Sequence, residues 1–239
     1  QMKTLVIGGV AAGTKAAAKL KREDRSAEVT LLTKSREISY AGCGLPYYVG
    51  GLIETEEELI VNTPEKFAGL TGVQVLTGRE AVGLDPERKS VHVKNLDDGT
   101  EEEYTYDNLI LAVGASAIVP DVPGIRLPGV FQMRTPEDAQ NMRSYMEEHE
   151  VRRAVVAGGG FIGLEIAENL HAKGIAATVI DMAPQIMPNV LDPEMAAYAK
   201  RHLQKKGIRI QTGTALKAVL GGEKASGIQT DQGTIQSDM

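Results

Sequence analysis

The sequence predicts an α/β protein of two doubly wound units, and three observations carry that prediction. A short apolar strand runs into a glycine turn and an alanine-rich helix at residues 3–22. The same order recurs at residues 154–173. Each helix is followed by a second apolar strand, residues 29–33 in the first case and 177–181 in the second. Strand, glycine turn, helix and strand in that order make a βαβ unit that binds dinucleotides, so both units are expected to be Rossmann-like. At 239 residues the chain is long enough for two domains, each with its own core.

In the first unit the turn reads Gly8-Gly9-Val10-Ala11-Ala12-Gly13. Val10 takes the middle glycine position of Gly-x-Gly-x-x-Gly, so on its own this turn could equally serve packing. A helix N-terminus that presents free N–H groups is nonetheless a ready site for a pyrophosphate. Further on, Thr63 is expected to cap a helix with Pro64 in its first position. Residues 73–84 and 89–95 read as paired strands, with Asp97-Asp98-Gly99 as a turn. Residues 109–114 read as a buried strand that ends at Gly114. Pro120, Pro123, Pro128 and Gly129 then mark a linker between two lobes.

In the second unit Thr135-Pro136-Glu137-Asp138 has capping-box character and opens a helix reaching about His149. Gly158, Gly160 and Gly163 give the full glycine pattern. The helix that follows runs to about Lys173, with Gly174 at its C-terminal cap. Asp181 ends the next strand, 18 residues past Gly163. A carboxylate there can accept both hydroxyls of an adenosine ribose and would repel a 2′-phosphate, which favours NADH over NADPH. From residue 207 to 239 short strands alternate with glycine turns.

Composition narrows the function classes. The chain is 42% hydrophobic and 24% charged, as expected of a globular protein. A net charge of −6 argues against nucleic acid or an anionic membrane as the main partner. No apolar run is long enough to span a bilayer. No leader pattern precedes the first strand, so the expected compartment is the cytoplasm. Cys43 is the only cysteine, which allows neither an internal disulfide nor a Cys-X-X-Cys redox pair. A lone cysteine is most often a small, inert packing residue. The neighbours of Cys43 point elsewhere. Gly42 and Gly44 let a flat or bulky group approach the backbone. Pro46 suits a first helical turn, which would place the thiol at a helix N-terminus, where thiolate is favoured.

With these residues in view, the chain resembles the pyridine nucleotide–disulfide oxidoreductases that use a single cysteine, and among them the coenzyme A–disulfide reductases. The most specific stretch is Ser39-Tyr40-Ala41-Gly42-Cys43-Gly44-Leu45-Pro46-Tyr47. The first glycine turn, Thr63 to Phe67, Leu109 to Gly114 and the Gly158 to Glu165 loop add to it. The resemblance implies a three-layer β/β/α architecture. It assigns residues 1–118 to the first half of an FAD domain and residues 119–239 to an NAD(P)H domain without its last strand. FAD contacts would fall on Gly8, Gly9, Val10, Ala11, Ala12, Gly13, Thr33, Lys34, Ala112 and Gly114. Contacts to NADH, and less favourably NADPH, would fall on Gly158, Gly160, Phe161, Ile162, Gly163, Glu165 and Asp181. Phe161 matches a residue that covers the flavin ring until nicotinamide displaces it.

The same resemblance makes Cys43 the catalytic group, forming a mixed disulfide with coenzyme A during reduction of a small disulfide or persulfide. Lys15, Lys19 and Arg22, spaced i, i+4 and i+7, share one helix face. Their matching positions lie along the phosphate-bearing arm of coenzyme A, although such a face is also an ordinary solvated one. Ser39 and Gly42 complete the substrate set. A sister branch, the NADH oxidases and peroxidases, cycles its cysteine through sulfenic acid and carries a histidine where Ala11 stands. This favours the disulfide or persulfide side. Thr33 stands where the family has a glutamate for the FAD ribose, and Gly42 where asparagine is frequent. The family continues past the length of this chain into a second FAD half and a dimerisation domain. The full-length enzyme is therefore expected to be a homodimer, and the chain by itself could be a nucleotide-binding module without turnover.

Overall fold

The computed structural model describes residues 2–239. In chain order the first elements are β1 (Lys3–Ile7), α1 (Ala11–Glu23), β2 (Glu28–Leu32), α2 (Leu45–Gly50), α3 (Pro64–Thr71), β3 (Gln74–Leu76), β4 (Arg79–Asp85), β5 (Ser90–Asn95), β6 (Glu101–Thr105) and β7 (Asn108–Leu111). They are followed by α4 (Pro136–Glu148), β8 (Arg153–Ala157), α5 (Phe161–Ala172), β9 (Ala176–Asp181), α6 (Pro193–Lys205), β10 (Arg209–Thr212), β11 (Leu216–Gly221), β12 (Ala225–Thr230) and β13 (Gly233–Gln236). By their contacts these residues form two compact units, one of residues up to 41 with 60–115, the other of residues 42–59 with 116–239.

The first unit holds a parallel sheet in the order β3-β2-β1-β7 and an antiparallel sheet in the order β4-β5-β6. Side chains alternate across β1, and both faces are covered. Val6, with Val29 and Leu31 of β2, packs against Ala17 of α1 and Phe67 of α3. Leu5 and Ile7, with Leu32, pack against Val91 and Val93 of β5. Helices, parallel sheet and antiparallel sheet therefore stack as the three expected layers. Each fully buried aliphatic side chain among these contributes about 2 kcal/mol.

Two expectations change here. The segment of residues 73–84 is not one strand, because β3 joins the parallel sheet and β4 the antiparallel one. The chain switches sheets at Gly78, whose φ of +62° an L side chain resists. The strand expected to be buried at residues 109–114 stops at Leu111, and Leu111 and Val113 are exposed. As β7 is the last strand of its sheet, only one neighbour covers it.

The second unit repeats the pairing of sheets with one parallel strand fewer, a parallel sheet β10-β9-β8 and an antiparallel sheet β11-β12-β13. Leu164 and Ala167 of α5 and Ala196 and Leu203 of α6 pack on Ala177 and Val179 of β9. The capping box of α4 is formed in both directions. Thr135 Oγ1 accepts from the Asp138 N–H at 3.2 Å, and Asp138 Oδ2 from the Thr135 N–H at 2.8 Å. The proline-rich segment is not a free linker, since the N–H groups of Val219 and Ala225 donate to the carbonyls of Pro123 and Pro128, both at 2.8 Å. The prolines remove donors but leave acceptors, and the antiparallel sheet uses them.

The end of the chain is tied to β8. Asp238 Oδ2 accepts from the N–H groups of Arg152 and Arg153 at 3.0 and 2.9 Å, and the Arg153 guanidinium lies 3.2 Å from Asp238 Oδ1. Burial pushes the Asp238 carboxyl up, but the bonds from Arg153 and the two backbone N–H groups outweigh it and hold it below the usual 3.8. A depressed carboxyl stabilises the fold above its unfolded pKa, and that contribution is lost as pH falls through the folded value. Asp238→Asn is accordingly expected to lower the melting temperature by about 3 °C at neutral pH. The gap between thermal scans of the two proteins should begin to narrow below about pH 4 and close once pH has fallen past the folded value. A gap that persists in acid would mean that the carboxylate charge is not what matters.

Candidate functional site

The first glycine loop is a close-packed cradle. Gly8 has φ +113° and donates its N–H to the Leu32 carbonyl at 2.8 Å. A Cβ on Gly8 would overlap the Ala112 carbonyl oxygen, and one on Gly13 would overlap that of Gly8. Val10, the departure from the glycine pattern, has a φ of −97°, so the position does not need the left-handed backbone that favours glycine. It precedes α1 without a side-chain cap, so the N–H groups of Ala11, Ala12 and Gly13 have no intrahelical acceptor. Free donors at the positive end of a helix dipole suit a pyrophosphate.

Around this loop the structure gathers several of the expected residues. Ser39 donates its N–H to the Gly9 carbonyl at 2.8 Å and holds the left-handed φ of +52°. Thr33 is 7% exposed, and its Cγ2 lies 3.0 Å from where a Cβ on Gly9 would stand. Ala112 continues the β7 ladder by donating to the Ile7 carbonyl at 2.8 Å, and Gly114 has φ +69°. Lys34 is exposed, its Nζ 3.7 Å from Glu80 Oε1. Lys15, Lys19 and Arg22 project from α1 as an exposed face. Of these, Lys19 is paired with Glu23 at 2.5 Å.

The second glycine loop has the same build. Gly158 has φ +123°, and a Cβ on Gly163 would overlap the Gly158 carbonyl oxygen. Gly160 precedes α5 with no side-chain cap. Asp181 is clamped to this loop: its Oδ2 accepts from the Gly159 N–H at 2.7 Å and its Oδ1 from the Ala183 N–H at 2.8 Å. Each oxygen keeps a further lone pair for a hydroxyl donor. Phe161 and Ile162 stand exposed at the start of α5. Glu165 is half-buried one turn later, its carbonyl accepting from Asn169 Nδ2 at 2.8 Å. Beside β8 a cavity of about 1080 Å³ opens, lined by Val156, Phe161, Ile166, Val219, Ile228 and Met239 among others.

Cys43 is exposed, and its contacts group it with the second unit rather than with Ser39 to Ala41. The thiol lies in a tight three-residue turn, Gly42–Gly44, that leads into α2; it precedes that helix instead of forming its first turn. With only six residues α2 is less than two turns long, so its placement depends on its neighbours. Leu45 and Val49 pack with Ala139 and Met142 of α4 and with Ile166 and Leu170 of α5. Arg143 holds the far end, its guanidinium 4.7 Å from the centre of the Tyr48 ring and donating to the Glu54 carbonyl at 2.9 Å. Gly50 abuts Asn169, whose Cβ is 2.8 Å from where a Cβ on Gly50 would be. Arg143 and Asn169 were not legible in the sequence, because nothing local pairs them with a segment so distant along the chain.

Among the described residues no helix is long and apolar enough to cross a membrane, and no group of three His, Cys, Asp or Glu is placed to hold a metal. Two glycine cradles, one with a clamped carboxylate, and an exposed thiol in a turn that leads into a packed short helix are thus what the chain offers to chemistry.

The family described as pyridine nucleotide-disulphide oxidoreductase matches residues 2–239. The chain belongs to that family. It is 36% identical over 239 residues to an NADH oxidase of Methanocaldococcus jannaschii, covering all of this chain and 53% of that protein. It is 32% identical over 193 residues to a coenzyme A disulfide reductase of Staphylococcus haemolyticus, covering 81% of this chain and 43% of that one. Among solved structures, an NAD-dependent persulfide reductase from A. fulgidus superposes with a TM-score of 0.95 at 36% identity, over 100% of this chain and 44% of that one. The chain therefore spans about half the length of the relatives it matches. The family depends on FAD and NAD(P)H.

Proposed function

We propose that the chain carries the nucleotide loops and the redox thiol of an NADH-dependent flavoprotein reductase acting on coenzyme A disulfide or a related persulfide. The observation that carries this reading is Cys43, exposed between two glycines in the turn that leads into α2, a helix that α4 and α5 fix in place. In the reaction proposed, the Cys43 thiolate attacks one sulfur of the substrate disulfide. The S–S bond breaks, one coenzyme A thiolate leaves and takes a proton, and a Cys43–coenzyme A mixed disulfide remains. Two electrons and a proton then release the second thiol and restore Cys43. The electron pair would come from NADH by way of FAD held at the Gly8 to Gly13 loop.

The chain's own residues divide the binding work. Gly8, Gly9, Val10, Ala11, Ala12 and Gly13 would hold the FAD pyrophosphate, with Thr33, Lys34, Ala112 and Gly114 at the rim. Gly158, Gly160, Ile162, Gly163 and Glu165 would hold the nicotinamide nucleotide, Asp181 its adenosine ribose, and Phe161 the face of the flavin ring. Lys15, Lys19 and Arg22, exposed along α1, suit the phosphates of coenzyme A. Ser39 and Gly42 would meet the substrate near the thiol. A homodimeric assembly of the whole protein in the cytoplasm belongs to the same proposal.

A second reading, an oxidase that cycles Cys43 through sulfenic acid, is favoured by the name of the M. jannaschii relative and disfavoured by Ala11, where that branch has a histidine. Mass spectrometry of the non-reduced protein separates the two. A coenzyme A adduct on Cys43, absent from Cys43→Ser, is expected. Sulfenic acid at Cys43 without any such adduct would replace the disulfide reading by the oxidase one. If neither FAD nor an adduct is retained while NADH binds, the chain acts as a nucleotide-binding module.

A further inference from the structure

We propose that Glu80 supplies the carboxylate that accepts the adenosine ribose hydroxyls of the nucleotide at the first glycine loop. This rests on the reading of that loop as the FAD site. A dinucleotide loop of this build is served by an acid about twenty residues on, at the end of the second strand. Here that strand end carries Thr33, with a single hydroxyl and a methyl group pressed towards Gly9. One hydroxyl cannot accept from both ribose hydroxyls as a carboxylate does.

Another carboxylate reaches the same strand end from the neighbouring sheet. The Arg79 N–H donates to the Thr33 carbonyl oxygen at 2.9 Å, so β4 starts beside the end of β2 and Glu80 is its second residue. Glu80 Oε1 lies 3.7 Å from Lys34 Nζ, the loose limit of an ion pair, and its side chain is 39% exposed. Two acids nearby are committed. Asp97 binds Arg36 and also Arg79 at 3.2 Å, and Glu102 binds Arg79 at 3.2 Å and the Tyr104 hydroxyl at 2.5 Å. Glu80 combines free lone pairs with rotational freedom, and Lys34 next to it offers a cation to the adjacent phosphate.

The test is a flavin fluorescence titration of the chain and its Glu80→Gln variant, each with FAD and with the FAD analogue that lacks both adenosine ribose hydroxyls. The unsubstituted chain is expected to bind FAD about tenfold more tightly than the analogue, as charge-assisted hydroxyl bonds give. E80Q is expected to bind the two alike. Equal discrimination in both proteins would assign the hydroxyls to another group and overturn the proposal. So would equal affinity of the unsubstituted chain for both ligands. No FAD binding by the unsubstituted chain would overturn the FAD reading of the loop itself, and Glu80 with it.

Discussion

Gly8→Ala is expected to destabilise the first unit by about 4 kcal/mol, near the top of what one substitution does. Two costs add. At φ +113° an alanine pays for a backbone conformation that its Cβ disfavours, worth about 1–2 kcal/mol. The new Cβ also overlaps the Ala112 carbonyl oxygen, a backbone atom that cannot swing aside. Ala112 is held by its own N–H, which donates to the Ile7 carbonyl at 2.8 Å. Relief therefore means breaking the β1–β7 ladder where it lines the loop, which would also cost nucleotide binding. Urea unfolding measures the loss, with Gly69→Ala as the opposing control. Gly69 lies within α3, and a Cβ there meets nothing within 4 Å. That substitution should stabilise by about 0.5–1 kcal/mol. A Gly8→Ala cost below about 1 kcal/mol would refute the close-approach argument.

What the sequence told of this chain follows the range over which each cause acts. The caps at Thr63 and Thr135 depend on an N–H three residues away, and both are formed as read. The Gly158, Gly160, Gly163 pattern and Asp181 lie within one βαβ unit, where turn, helix and acid are fixed by local geometry. The three layers were implied by the family resemblance alone, and the burial of both faces of β1 and β2 accords with them. Long-range choices were hidden. The run of residues 73–84 was read as one strand although Gly78, Arg79 and Glu80 interrupt its apolar residues, and only the partner sheets reveal the break at Gly78. The cysteine stretch is continuous as a motif, yet its contacts divide it between Ala41 and Gly42. Arg143 reaches the carbonyl of Tyr48 across 95 positions of sequence, which no local pattern encodes. Glu80 escaped notice for the same reason, since its proximity to Thr33 arises from a bond between two sheets.

Asp181→Ala is expected to weaken NADH binding about 30-fold and to erase most of the preference for NADH over NADPH. The carboxylate is already oriented before any ligand arrives, by the Gly159 N–H at 2.7 Å and the Ala183 N–H at 2.8 Å. Little ordering then remains to be done when ribose hydroxyls donate to it, so about 2 kcal/mol of charge-assisted bonding is lost with the side chain. With NADPH the same charge faces a 2′-phosphate, and its removal relieves repulsion instead of removing a bond. Loss of the clamp also leaves two loop N–H groups without their acceptor, which would weaken both nucleotides alike. The ratio of the two dissociation constants, read by calorimetry, separates these effects, because a purely structural role leaves the ratio unchanged. Adding Met182→Arg should carry the ratio past unity. Met182 follows Asp181 and is 79% exposed, so a guanidinium there is free to reach the phosphate. A ratio that stays at its original value in both variants would place the determinant of nucleotide choice elsewhere than at the end of β9.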